Sequence, residues 1–339
     1  MNNSSHEVKP RGTLILTRRD VAALLSIDDC IAAVEDAFRH HAGGRTLGPG
    51  VLGVPAMEGG FHIKAAGLKL DRTWFAVKCN GNFVHNLARF GLPTIQGLIL
   101  LCDGDNGTPL AVIDSIEITI LRTGAATAVA ARHLARADSR AVTICGCGNQ
   151  GIVQLRALSR VLKLERVFAF DIDSPRAERY AAGMSAELGV RVEPVRDVSE
   201  AVRASDVCIT CTPARSSLVR RDAVRPGSFI AGVGADSHDK QELDPRLFQG
   251  TKVVVDSLDQ CASFGDLRHA LAEGLTTRES VHAELAEIVA GHKPGRTSSE
   301  EITIFDSTGV ALEDVAAAVM VYQRALETGA GTSMDFAQR

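Results

Sequence analysis

Hydrophobic and polar positions change period twice along the chain. After a short apolar strand at 13–16, Ile27, Ile31, Val34 and Phe38 recur at helical spacing within 17–41, with Ser26 placed as an N-cap ahead of Asp28 and Asp29. Gly43, Gly44 and Arg45 close this helix, and Pro49, Gly50, Gly53, Pro55, Gly59 and Gly60 then mark a loop-rich stretch. Residues 61–68, 74–80 and 95–102 read as strands, and the turn at 103–107 leads to another at 109–114, predicting an antiparallel sheet. An Ala-rich helix over 115–134 follows, with a domain boundary expected near 122.

Beyond it the order becomes strand then helix or turn, repeated. Strands at 141–145, 166–170, 190–195, 207–211, 228–233 and 252–255, with one more at 301–306, predict a parallel sheet with covering helices. Leu312, Val315, Val319, Tyr322 and Leu326 line one face of a closing helix over 310–326, which can return to the first domain. No repeat of 20–50 residues and no low-complexity tract interrupts this order.

Composition narrows the function classes. The 339 residues are 45% hydrophobic and 23% charged, enough for two compact units or one large α/β domain. A net charge of −4, with no basic run interleaved with aromatics, argues against a nucleic-acid partner. Aromatics at 4% leave little for a carbohydrate cleft or a base-stacking platform. The first 13 residues lack a basic-then-apolar pattern and no apolar run approaches a membrane span, so a cytoplasmic protein with no membrane partner is expected. The eight cysteines are scattered as reduced core thiols; Cys145 and Cys147 alone are close, without His or Cys at ligand spacing, so no metal is expected.

The strongest local motif is the strand 141–145 running into Gly146-Cys-Gly148-Asn149-Gln150-Gly151 and then a helix. Gly146 allows the tight turn, Gly148 the approach of a pyrophosphate, and Gly151 close strand–helix packing, with the helix N-terminus facing the anion. Twenty residues past Gly151, Asp171 ends the next strand, where a carboxylate accepts from a ribose 2′-OH and repels a 2′-phosphate. NAD(H) is therefore the expected cofactor, with FAD an alternative on the motif alone; Asp173 reads as a surface charge. Thr210 and Thr212 suit the adenosine side, and Ser307 the nicotinamide. Thr123, Asn149, Gln150, Val233 and Gly234 complete the candidate cofactor set.

Several separate stretches together resemble the ornithine cyclodeaminase/mu-crystallin family over about 13–328: AVKCNGN with Lys78, the run from Ser115 through Arg122 to GAAT, GCGNQG, GVGADSHDKQELDP from 232, and ITIFDSTG from 302. The resemblance implies a Rossmann-type doubly wound parallel sheet at 123–310 and a mixed α+β substrate-binding and dimerisation domain from both chain ends, 1–122 with 311–339. It also implies a homodimer acting on a small amino or imino acid. Arg45, Lys78 and Arg122 match the family's carboxylate-binding positions, consistent with the planar fork of Arg and the point charge of Lys. Lys64 is a further candidate that strand pairing would put on the face of Lys78.

Asp236, in GVGAD, resembles the family's catalytic aspartate, able to shuttle a proton at nitrogen while hydride moves between Cα and nicotinamide; Lys78 is the second expected catalytic residue. His238 reads as a solvent-facing loop substitution or a tuner of substrate choice. Cyclodeaminases of the family are expected to carry a carboxylate ahead of the lysine strand, where this chain reads His62-Ile63-Lys64. That favours an imine or ketimine reductase or amino-acid dehydrogenase, with cyclodeamination of a diamino acid and non-catalytic ligand binding as alternatives.

Overall fold

The computed structural model describes residues 12–336; the opening residues read above for a targeting signal lie outside them, as do 337–339. In chain order the elements begin with β1 (Thr13–Leu16), α1 (Arg18–Leu24), α2 (Ile27–Ala42), β2 (Thr46–Ala56), β3 (Gly59–Lys69), β4 (Thr73–Asn82) and α3 (Asn86–Phe90). β5 (Ile95–Asp103), β6 (Pro109–Asp114), α4 (Ser115–Leu134), β7 (Ala141–Cys145), α5 (Asn149–Ser159), β8 (Arg166–Phe170) and α6 (Ser174–Leu188) follow. Then come β9 (Arg191–Val195), α7 (Val198–Arg203), β10 (Val207–Thr210), β11 (Arg215–Val219), β12 (Phe229–Gly232), β13 (Gln241–Leu243) and β14 (Lys252–Val255). The chain ends with α8 (Leu258–Phe264), α9 (Leu267–Ala272), β15 (Ala283–Glu284), α10 (Leu285–Val289), β16 (Thr303–Asp306), α11 (Ala311–Thr328) and β17 (Thr332–Met334).

Two compact units partition these elements, one holding the residues up to Ser26, 45–119 and 314 onward, the other 27–44 and 120–313. The expected bounds, 1–122 with 311–339 and 123–310, differ from this partition chiefly at 27–44. That segment carries α2, which packs on α10 and α5 and so falls within the second unit.

The first unit is a seven-stranded mixed sheet in the order β17-β1-β6-β5-β4-β3-β2, antiparallel apart from the β1–β6 pair. Ala66, Leu68, Trp74, Ala76, Ile99 and Leu101 bury one face, where Tyr322 of α11 meets Trp74 edge-on at 5.8 Å. The loop expected over 49–60 is instead a hairpin, with β2 pairing to β3 from Thr46–Leu68 to Ala56–Gly59. β2 is the edge strand, where a proline forfeits no ladder bond on its open side, and a register irregularity between Leu47 and Gly50 takes up Pro49. The single helix expected over 17–41 is two, because Thr17 and Asp20 form a capping box for α1 and the chain leaves helical geometry at Leu25.

The second unit is built on an eight-stranded, wholly parallel sheet in the order β15-β14-β16-β12-β10-β7-β8-β9. β7 has β8 and β9 on one side and β10, β12 and β16 on the other, which is the Rossmann order with its switch point beside β7. The strands are buried on both faces, so Val142, Ile144, Val167, Ala169, Ile209, Phe229, Ile304 and Phe305 read as continuous apolar runs rather than alternations. A separate parallel pair, β11 with β13, lies outside this sheet.

Candidate active site

β7 delivers the chain to Gly146, whose φ of +103° suits glycine, and a Cβ there would stand 2.8 Å from the Cys211 carbonyl. Gly151 lets α5 approach the turn, since its Cβ would fall 2.1 Å from the Gly146 carbonyl. Gly148 is the N-cap of α5, without a side-chain cap, and nothing lies within 4 Å of where its Cβ would be. Open space over a bare helix N-terminus fits a pyrophosphate. Asn149 is exposed and Gln150 half-buried in the first turn of α5, and Tyr180 donates its hydroxyl to the Gly151 carbonyl at 2.9 Å.

Asp171 ends β8 beside this turn. Its oxygens accept from the Cys147 and Asp173 amides at 2.9 Å each, which fixes the carboxylate next to the helix start. Asp173 caps α6 by accepting from the Arg176 amide, so its role is structural. Burial and then the Asp171 charge push the Cys147 thiol up to about 12, leaving it a poor nucleophile. Among the described residues no group of three or more His, Cys, Asp or Glu is placed to hold a metal ion, and no helix is long and apolar enough to cross a membrane.

Across β7 from Asp171, the ends of β10 and β12 meet a buried carboxylate. Glu242 accepts from the Thr212 amide at 2.6 Å, the Thr212 hydroxyl at 2.7 Å, and the Thr210 hydroxyl and Gly234 amide at 2.8 Å each. Thr210 is wholly buried, and strand order puts β10, and with it both threonines, on the other side of β7 from β8 and Asp171, whereas the sequence placed them on the adenosine side with it. Asp266 accepts from the Glu242 and Leu243 amides, and Asp306 from the Asp266 and Leu267 amides. Asp256, after β14, accepts from the Ser307 hydroxyl at 2.9 Å and the Gly309 amide at 2.6 Å. Burial and the Glu242 charge push Asp266 up to about 7; burial and then Asp266 push Asp306 well above the carboxylate range. Burial likewise raises Glu242, against the pull of its four donors.

Asp236 follows β12 and is half-exposed, with its carboxylate on Lys240 Nζ at 2.6 Å. Val233 and Gly234 precede it, partly exposed. His238 is exposed, its ring edge-on to Phe264 and its carbonyl accepting from Arg268, an arrangement of a solvent-facing loop.

In the second unit, Arg122 of α4 is 6% exposed and donates to Glu313 at 2.7 Å, with Thr123 half-buried beside it in sequence. Gly309 makes room for that guanidinium: its φ is +76°, and a Cβ would lie 2.1 Å from Arg122 Nη1. In the first unit, Lys78 of β4 is 4% exposed, and its Nζ lies 2.8 and 2.7 Å from the two oxygens of Asp314. Lys64 sits directly opposite Lys78 in the β3–β4 register, on the same face. Arg45 lies further along the sheet. It is exposed just before the Thr46–Leu68–Trp74 rung, four residues along from Lys78, roughly 13 Å of strand.

Sequence reading passed over Glu242, Asp256, Asp266, Asp306, Glu313 and Asp314. The signals were present: acids ending apolar strands at VVVD and TIFD, and two adjacent acids opening the apolar helix ALEDVAAAVMVY.

Known proteins share this fold over nearly the whole chain. The alanine dehydrogenase of Archaeoglobus fulgidus is 39% identical over 329 residues, 96% of this chain and 98% of its own. A solved archaeal alanine dehydrogenase dimer with bound NAD superposes with a TM-score of 0.91 at 38% identity, over 96% of this chain and 99% of that one. The Δ1-pyrroline-2-carboxylate reductase of Thermococcus litoralis, solved with NADH and L-proline, gives 0.90 at 37% identity, over 95% and 100%. The model of the ornithine cyclodeaminase/mu-crystallin family matches residues 11–329, so glycine turn, buried lysine and Asp236 loop sit within a single known framework, and the chain belongs to that family.

Proposed function

We propose that the chain is an NAD(H)-dependent oxidoreductase acting on the Cα–N bond of an amino or imino acid, as an imine or ketimine reductase or amino-acid dehydrogenase. The observation that carries this reading is the Lys64–Lys78 rung, with Lys78 buried and held by Asp314. Two cations directly opposite on one face of a sheet concentrate positive charge there, which suits recognition of a substrate carboxylate. Arg122, fixed by Glu313, is the further carboxylate partner, supplying a planar fork. Both dehydrogenase and reductase relatives act on such compounds by name.

The cofactor, when bound, supplies or accepts the hydride at the carbon bearing nitrogen. The glycine turn holds its pyrophosphate on the amides of α5, and Asp171 receives the adenosine ribose. Thr123, Thr212, Val233 and Gly234 would complete its site, and Thr210 and Ser307 donate to the buried Glu242 and Asp256. Asp236, in salt-bridge contact with Lys240, gives or takes the proton at the substrate nitrogen. Lys78 would bind the substrate carboxylate. No carboxylate stands on the His62–Asn80, Ile63–Cys79 or Lys64–Lys78 rungs, which favours simple reduction over cyclodeamination.

The same reading includes a homodimer and a cytoplasmic setting. Leu52, Leu98 and Leu100 are 55%, 54% and 39% exposed on the outer face of the first unit's sheet, beside exposed Cys79. A second copy of this face is its natural cover. All eight cysteines are unbridged, which suits a reducing compartment.

The test is a mass-resolved panel. Purified protein is given pyrroline-2-carboxylate, piperideine-2-carboxylate, or pyruvate with ammonia plus NADH, and ornithine, lysine or 2,4-diaminobutyrate plus NAD+. NADH consumption with an imine and silence with every diamine is expected. A cyclic amino acid and ammonia formed without net cofactor change would make the chain a cyclodeaminase, and no turnover at all with NADH bound would make it a binding protein.

A further inference from the structure

The buried acids at the strand ends have no part in the chemistry above, yet they hold the backbone on which it depends. Glu242 is wholly buried and comes from β13, outside the parallel sheet, but its carboxylate reaches the ends of two of that sheet's strands. A Cβ on Gly234 would lie 2.7 Å from Glu242 Cδ, so this glycine leaves the space the carboxylate fills. Both oxygens are saturated, each by one backbone N–H and one hydroxyl. Gly234 lies two residues before Asp236, and Thr212 follows β10 on the nicotinamide side of β7.

We propose that Glu242 is a positioning residue that clamps the ends of β10 and β12, and through Gly234 sets the loop carrying Asp236 against the nicotinamide half of the cofactor. The inference rests on the dinucleotide reading above. Asp266 completes the device by holding the Glu242 and Leu243 amides with Oδ1, while its Oδ2 meets no donor and is the place for a proton. One carboxyl of the pair is thus neutral, and Glu242, with four donors, is the charged member.

Glu242→Gln tests this because a hydroxyl can rotate to accept from an amide nitrogen, whereas a backbone N–H cannot. Whichever way the amide lies, the N–H of Thr212 or Gly234 loses its acceptor. Turnover and the dissociation constants of NADH and of ADP-ribose are measured on the full-length protein, wild type first. If wild type binds neither ligand, the dinucleotide reading itself fails. With wild-type binding established, Glu242→Gln should lower kcat and weaken NADH by about tenfold or more, the weight of hydrogen bonds to a charged group. ADP-ribose should change less than twofold, and Glu242→Asp should recover part of the turnover. Equal weakening of NADH and ADP-ribose, or an unchanged kcat, would overturn the proposal. Should Glu242→Gln fail to fold, Thr210→Val removes one of the four donors and should lower kcat by a few-fold with ADP-ribose binding intact; an unchanged kcat there overturns it equally.

Discussion

Lys78 and Asp314 offer the sharpest energetic test. Their side chains are 4% and 3% exposed, with Nζ 2.7 Å from the nearer oxygen. At that distance and an effective dielectric near 20, the Coulomb attraction is about 6 kcal/mol. The desolvation cost of each ion cancels in a double-variant cycle, so a coupling of about 5 kcal/mol or more is expected. Lys78→Met leaves a carboxylate buried without its cation, and Asp314→Leu the converse; each single variant should lose about 3–5 kcal/mol. The double variant replaces the pair with apolar groups and should lie within about 1 kcal/mol of wild type, although it should not turn over substrate. Denaturant unfolding of the four proteins at one fixed concentration gives the cycle, since association adds its own stability. A coupling below about 1 kcal/mol would refute the pair as described, and with it the claim that Asp314 fixes the ammonium.

Other consequences can be checked in parallel. Asp171→Ala removes the ribose acceptor and should weaken NADH by about tenfold to a hundredfold while sparing NADPH, read as the ratio of KM values. Gly309→Ala sets a methyl at 2.1 Å from Arg122 Nη1 on a backbone of φ +76°, so substrate KM should rise sharply while NADH binding holds. Asp266 sits against Glu242 and Asp306, and its pKa, raised from 3.8 to about 7, means the folded chain binds more protons than the unfolded chain between these values. Its contribution is therefore present below pH 4 and is lost as pH rises to 7; Asp266→Asn should flatten that slope in unfolding measured from pH 5 to 8. Under the proposed homodimer, Leu98→Lys with Leu100→Glu should lower the mass in light scattering from two copies to one, and a wild type that is already a single copy would refute that part of the proposal.

Much of the second unit is legible in the sequence because its strands are buried on both faces, and each therefore stands out as a short apolar run between helices. The glycine turn is equally plain, since its three glycines answer to local geometry. β2 is not, because Pro49, Pro55 and three glycines, at 48, 50 and 53, signal a loop, and only its position at the sheet edge makes a strand of it. Arg45 is hard to place for a similar reason: a cation after a helix carries no sign of which rung it will reach. The partners of Lys78 and Arg122 lie 236 and 191 residues away, so no window shows them, although paired acids in an apolar helix mark a buried use.

The proline-bearing edge of the first unit's sheet bears on how the protein accumulates in a cell. Pro49 and Pro55 deny β2 a regular row of donors, and at the opposite edge β17 offers only three residues, so neither end templates another strand. Copies that meet through the exposed leucine face instead can pair once, about a two-fold axis, and the contact is then used up. Under the proposed homodimer, a sheet sealed at its margins and apolar on one outer face favours a closed particle over a fibre.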